Sequence, residues 1–253
     1  MGQTPPRYAI YFVPERDSTL ERLGSSLLGR DIHTGAALSQ PELEGIGMSE
    51  LFSLTRKARQ YGLHATLKPP FFLKPGFSEA DLTAAAERFA AAKRPIPLPG
   101  LCLTRMSSFF ALAMWPRTEE EAEETENVRL LAREVVSFFD AFRAPPSDEE
   151  LDRRRRKGLS PRQEKYLCRW GYPYVFDEFR FHVTLTDAVR DHDMVPLLER
   201  ELGRHLARAL KGNSLDGICL CRSDAEGSFT VLRRTAFSGG LSSSLTAPRS
   251  VPA

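Results

Sequence analysis

The chain repeats itself, and a repeat restricts the possible folds more than any single pattern within it. Residues 98–105, LPGLCLTR, align without gaps to residues 215–222, LDGICLCR, at an offset of 117. Five of the eight positions are identical: Leu98/Leu215, Gly100/Gly217, Cys102/Cys219, Leu103/Leu220 and Arg105/Arg222. His-x-Thr occurs at His64 and again at His182, an offset of 118, and Ser-Phe at 108–109 recurs at 228–229, an offset of 120. Each His-x-Thr is followed by a helix-like segment and then by two strand-like ones. The expectation is two diverged copies of one α/β unit, with Cys102 and Cys219 as equivalent small buried residues.

Both His-x-Thr segments alternate as half-buried strands do. Gly62, His64, Thr66 and Lys68 share one face, with Leu63, Ala65 and Leu67 on the other. Further on, Arg180, His182, Thr184 and Thr186 share the polar face, and Phe179, Phe181, Val183 and Leu185 the apolar one. A lone polar face of this kind usually looks at solvent. Two of them, packed about a pseudo-dyad, bring two imidazoles and two hydroxyls into one cleft, a set that suits in-line attack at phosphorus. A neutral His takes the proton of the attacking water, and a protonated His gives one to the departing oxygen. The Thr hydroxyls donate to the non-bridging oxygens, where charge builds. Such a set handles protons and charge without cofactor or metal. His64, His182, Thr66 and Thr184 are therefore the candidate catalytic residues, and Lys68 and Arg180, on the same faces, are candidate substrate contacts.

Around these strands, 7–14 reads as a first strand and 18–29 as a helix capped by Ser18 and ended by Gly29. Residues 30–48 read as a loop, and Ser49 caps a helix through Tyr61. Helices follow at 78–94, 119–142, 192–211 and in an insertion at 145–170, where Ser147 and Ser160 are caps; strand pairs fall at 98–105 with 108–115 and 215–222 with 228–237. The fold class expected is α/β (α+β): two pseudo-symmetric copies, with antiparallel sheets flanked by helices around a central cleft. One domain spans 1–240, with lobe one at about 7–116, lobe two at about 172–237 and helices 118–170 between them. The Ser-rich stretch 241–253 has the composition of a disordered tail.

Thirty-five Lys and Arg against 33 Asp and Glu leave a net charge of +2, too little to argue for a nucleic-acid track. No apolar run reaches membrane-spanning length and no signal-peptide pattern opens the chain, so a cytoplasmic protein is expected. The four cysteines lack zinc spacing. His33, His192 and His205 stand in no constellation and are expected at the surface, as are Arg105 and Arg222. The run Arg153 to Lys157 gives the insertion a positive face, either solvated or guiding a polyanionic substrate.

HATL at 64–67 and HVTL at 182–185 resemble the paired HxTx motifs of the two-histidine (2H) phosphoesterase superfamily, which includes LigT-like bacterial 2′,5′ RNA ligase/cyclic phosphodiesterases and eukaryotic cyclic nucleotide phosphodiesterases. RYAIYFVP, YGLHATLKPPF, FRAP, RRRRKGLSPRQE and RWGYPYVFDEFRFHVTLT are similar to a bacterial subfamily associated with phosphonate-utilisation genes, over about residues 7–237. The resemblance implies a bilobal fold, His64 and His182 as the acid/base pair, and Thr66 and Thr184 on the phosphate. The chain departs from compact members in its wide motif separation and its helical insertion. The function expected is a metal-independent cyclic phosphodiesterase, a phosphoric diester hydrolase, acting on a small phosphorylated ribose or nucleotide. RNA end processing of 2′,3′-cyclic or 2′,5′ linkages and non-catalytic nucleotide or RNA binding are the alternatives, and the oligomeric state stays open.

Overall fold

The computed structural model describes residues 5–156 and 158–239; residues 1–4, Lys157 and the segment 240–253, which holds the Ser-rich stretch 241–253, lie outside them. In chain order the elements are β1 (Arg7–Phe12), α1 (Thr19–Leu28), α2 (Met48–Leu54), α3 (Arg56–Tyr61), β2 (Ala65–Phe72), α4 (Glu79–Ala91), β3 (Ile96–Pro97), β4 (Leu101–Met106), β5 (Phe109–Met114), α5 (Glu119–Phe139), α6 (Asp148–Arg155), α7 (Pro161–Trp170), β6 (His182–Thr184), α8 (Met194–Leu206), β7 (Ser214–Leu215), β8 (Gly217–Ser223) and β9 (Phe229–Ala236).

Seven strands form one antiparallel sheet in the order β4-β5-β6-β2-β1-β8-β9, and β3 pairs with β7 in a separate ribbon. Alternation gives the sheet two unlike faces. Ile10, Phe12, Leu112, Val183 and Leu220 pack under the helices against Leu82 and Phe89 of α4, Val135 and Phe139 of α5, and Leu198 and Leu202 of α8, all buried. The other face carries a smaller apolar cluster, with Ala9, Tyr11, Val13, Cys219, Cys221 and Phe229, and leaves the two His-x-Thr strands facing open space.

The repeat is visible as a twofold axis. Strands β2 and β6 lie side by side and antiparallel, bridged at Ala65 and Val183, which are 118 positions apart. In the ribbon, Ile96 faces Leu215 and Pro97 faces Ser214, a pairing that maps onto itself under the same offset. Strands β4 and β8, which carry the eight-residue match, stand third from the axis on either side. The Ser-Phe match does not fit: β5 lies between β4 and β6, where its counterpart across the axis is β1, while β9 is an outer edge strand. That recurrence is a short-string coincidence. The two halves also interleave, because β6 lies between β5 and β2, and β1 pairs with β8.

Local chemistry sets several boundaries. Ser78 with Asp81 and Ser160 with Gln163 form complete capping boxes, while the Ser18 hydroxyl accepts from Glu21 N at 3.2 Å and Gly29, at φ 77°, ends α1. The helix expected to start at Ser49 instead starts after Gly47 and breaks at Thr55 (φ −103°, ψ 3°) into α2 and α3, with the buried Thr55 hydroxyl donating to Leu51 O at 2.9 Å. The second His-x-Thr strand is three residues long, although Phe179, Phe181, Val183 and Leu185 are all buried. Cys219 is buried and Cys102 half-buried. His192 is exposed, but His33 and His205 are half-buried, the latter bonded through Nε2 to Leu23 O at 3.1 Å. Among the described residues no helix is long and apolar enough to cross a membrane.

Candidate functional site

The floor of the site is the β2–β6 seam. Extending the Ala65–Val183 register by one residue in each direction sets His64 beside Thr184 and Thr66 beside His182. Directly opposed side chains of antiparallel strands stand about 4.5–5.5 Å apart at Cβ, so the four residues form a diamond with each imidazole next to the other strand's hydroxyl. Both rings are held by one device: His64 Nδ1 lies 2.9 Å from Gly62 O, and His182 Nδ1 lies 2.8 Å from Arg180 O, each two residues upstream. A carbonyl only accepts, so the neutral ring keeps its hydrogen on Nδ1 and leaves Nε2 as the base. His64 Nε2 stands 3.1 Å from Thr66 Oγ1. Gly62 is required for this aim, because it sits at φ 73° and a Cβ there would lie 2.6 Å from Ile32 Cβ.

Surroundings separate the two rings. Tyr11 of β1 stacks on His64 with centroids 3.9 Å apart. Burial drives the His64 pKa down to about 4, against the pull of the Gly62 carbonyl and with the His182 charge adding to the effect. His182 is not itself among the residues lining the cleft; its ring lies 6.1 Å, between centroids, from Phe109, which is. Above the seam opens a cleft of about 560 Å³ lined by His64, Thr66 and Thr184, by Thr186, and by a cationic and phenolic wall that includes Arg7, Tyr11, Tyr61, Arg154 and Tyr172.

Lys68 departs from the expected face. Tyr11 pairs with Thr66 and Ile10 with Lys68, so β2 spends two residues where β1 spends one. This bulge reverses the alternation and turns Lys68, 1% exposed, under α5, where its Nζ donates to Val136 O at 3.1 Å and to Asp140 at 3.2 Å. Burial lowers its pKa to about 8 despite the Asp140 carboxylate. Arg143 joins the same carboxylate at 2.7 Å. Lys68 therefore belongs to a buried ion cluster and is not among the residues that line the cleft. Arg180 is exposed and contributes its carbonyl rather than its guanidinium.

The basic run divides. Arg153 and Arg154 line the cleft, whereas Arg155 is tied to Glu164 at 2.8 Å and Asp152 at 3.3 Å. Tyr11, Arg7, Tyr61 and Tyr172 were not singled out by sequence. Arg7 and Tyr11 share a face of β1 by alternation, which is the signal that could have found them, but aromatic strand residues read as core. Among the described residues no three His, Cys, Asp or Glu side chains converge as metal ligands.

Two curated proteins are similar to this chain, both named ribose 1,5-bisphosphate phosphokinase PhnN. The one from Janthinobacterium sp. (strain Marseille) is 39% identical over 243 residues, covering 94% of this chain and 52% of that protein. The one from Laribacter hongkongensis (strain HLHK9) is 35% identical over 196 residues, covering 77% of this chain and 43% of that protein. The chain thus spans about half the length of these relatives. Residues 66–230, which run from Thr66 through both halves of the sheet to β9, match the model of the family described as "Protein of unknown function (DUF1045)", and the chain belongs to that family.

Proposed function

We propose that the cleft hydrolyses a cyclic phosphate on a small ribose derivative, with no metal, His64 acting as base and His182 as acid. The observation that carries this is the seam. Diagonal positions on paired strands lie about 7–8 Å apart, so a phosphoryl group fits between the imidazoles with one on each side. As the water oxygen bonds to phosphorus, its proton passes to His64 Nε2; the P–O(ribose) bond breaks, and the departing oxygen takes the His182 proton. The product is a phosphate monoester. Thr66 and Thr184 donate to the non-bridging oxygens, Thr66 leaving its present contact with His64 to do so. Burial under Tyr11 keeps His64 neutral, which suits the base.

The resemblance to two-histidine phosphoesterases, and to a subfamily associated with phosphonate-utilisation genes, supports this chemistry. The relatives' name supports a ribose bisphosphate as product: a 5-phosphorylated ribose 1,2-cyclic phosphate yields ribose 1,5-bisphosphate when its P–O2 bond is broken. The kinase activity in that name is assigned to the portion of those proteins that this chain does not span, since the sequence contains no G-x-x-x-x-G-K-[S/T] loop.

The test is phosphorus NMR of the chain in EDTA with ribose cyclic phosphates, 5-phosphorylated or not, and with oligonucleotides ending in a 2′,3′-cyclic phosphate. Ring opening, faster for the small substrates, is expected. Faster processing of oligonucleotides with a steep salt dependence would make it an RNA end-processing enzyme. Binding without turnover would make it a binder, and ATP-dependent phosphorylation of ribose 1,5-bisphosphate would place the kinase in this half.

A further inference from the structure

We infer that the wall of the cleft beside β1 is a second phosphate subsite, built from the guanidiniums of Arg7 and Arg154 and the phenols of Tyr11, Tyr61 and Tyr172. It receives a phosphate monoester on the same small molecule whose cyclic phosphate lies between His64 and His182, and so rests on the proposed hydrolysis.

The first observation is an orphan hydroxyl. Tyr11 is fully buried, its ring fixed by the stack on His64 and by Phe229 at 5.8 Å, yet among the described residues its hydroxyl has no hydrogen-bond partner. A buried hydroxyl left unpaired costs about 1–3 kcal/mol, and such groups call for an explanation. This one belongs to a residue that lines the cleft. Burial raises its pKa well above 10, and Arg7, Tyr61 and Tyr172 are close enough to act on it electrostatically. It is a donor awaiting an acceptor.

The second observation concerns charge. Arg154 is half-buried with its guanidinium 4.6 Å from the Tyr172 ring centroid, and Arg7 lies 5.6 Å from that of Phe229. Among the described residues neither has a carboxylate within ion-pair distance, while Arg155, next along the same helix, has two. Of the three arginines that line the cleft, Arg7 and Arg154 are the unpaired ones, while Arg153 reaches Glu150 at 3.9 Å. Lys57 and Arg153 add positive charge to the same lining, and the oxygens of the one carboxylate there, Asp187, accept from Lys57 N at 3.1 and 3.3 Å. Partly desolvated cations without partners are costly unless an anion joins them. A cyclic phosphodiester carries one negative charge; a monoester at neutral pH carries nearly two, with oxygens that fit guanidinium forks. A cleft of about 560 Å³ has room for a sugar between the two groups.

Two measurements test this. Calorimetric titration with ribose 5-phosphate should show binding that weakens about tenfold in Arg154→Ala and less in Tyr11→Phe, with partial recovery in Arg154→Lys. In turnover, the ratio of kcat/KM for a cyclic phosphate bearing a second phosphate to that for one lacking it should fall about tenfold in Arg154→Ala, with melting curves confirming folded protein. An unchanged ratio in both Arg154→Ala and Arg7→Ala, with ring opening intact, would overturn the subsite and leave the hydrolase standing. Arg154-dependent binding of ribose 5-phosphate, with no cyclic phosphate opened by the wild type, would support the subsite and sink the hydrolase.

Discussion

On β2 the imidazole lies beneath a phenol ring, 3.9 Å between centroids; on β6 its counterpart has Phe109 tilted at 6.1 Å. The backbone treats the two alike, each Nδ1 donating to the carbonyl two residues back. The difference comes from the neighbouring strand. Tyr11 of β1 faces Cys219 on β8, and at the equivalent place Ala113 of β5 faces Cys102 on β4. Where one half sets a six-membered ring over its histidine, the other sets a methyl group. A twofold scaffold thus supplies geometry to both imidazoles, and a single strand position sets them apart: the ring stacked under Tyr11 has its pKa lowered by burial, which favours a neutral base.

The largest effect should come from removing either ring. His64→Ala and His182→Ala are each expected to lower kcat by about 10²–10⁴-fold, and the double variant should be little worse than the singles because the pair acts as a unit. Near-normal turnover in either single variant would end the comparison altogether. The third polar position of each motif comes next. Its residues are Lys68, turned into the core by the bulge, and Thr186, which stays at the cleft with Oγ1 accepting from Phe110 N at 2.9 Å. Lys68→Met leaves Asp140 short of a partner and should cost about 3 kcal/mol in urea unfolding, with KM for phosphorylated ligands unmoved.

The carbonyls that aim the rings give a smaller contrast. Gly62→Ala forces a side chain into positive φ and against Ile32, and should cost about 1–3 kcal/mol and reduce kcat; Arg180→Ala, at the matching place, should stay within about 0.5 kcal/mol. The smallest test is of pH. Tyr11→Ala exposes His64, so the acid limb of the rate profile should move from near pH 4 towards 6.5, the ordinary value. Because the folded pKa is the lower one, the unfolded chain binds the extra proton, and stability falls as pH drops from 6.5 to 4. Melting temperatures of His64→Gln should lose part of that slope.

What the sequence made legible were features written in short-range periodicity. The polar faces of 62–66 and 180–184, the hairpin of β4 and β5, and the Ser78 and Ser160 caps each depend on residues a few positions apart. The match of β4 to β8 also survives as a symmetry of the sheet. Lys68 was misplaced because a bulge is decided by what the partner strand does, and β1 lies more than fifty residues upstream. Tyr11 was missed because a phenol ring on a strand reads as core, and here its ring is core while its hydroxyl belongs to the site. The break at Thr55 depends on a hydroxyl turning back on its own helix, a choice that the apolar stripe through Tyr61 does not reveal.

The seam between β2 and β6 has a mechanical consequence. It is bridged at the single pair Ala65 and Val183, whereas the hairpins β4–β5 and β8–β9 are bridged along their length. Strand pairs pulled apart across their hydrogen bonds yield one bond at a time, so a force applied between residues 106 and 229 should rupture the sheet first at this line. The weakest join in the sheet is the one that runs between the two histidines. A ligand spanning it would act as a rivet, and the rupture force of the protein should rise when the cleft is filled.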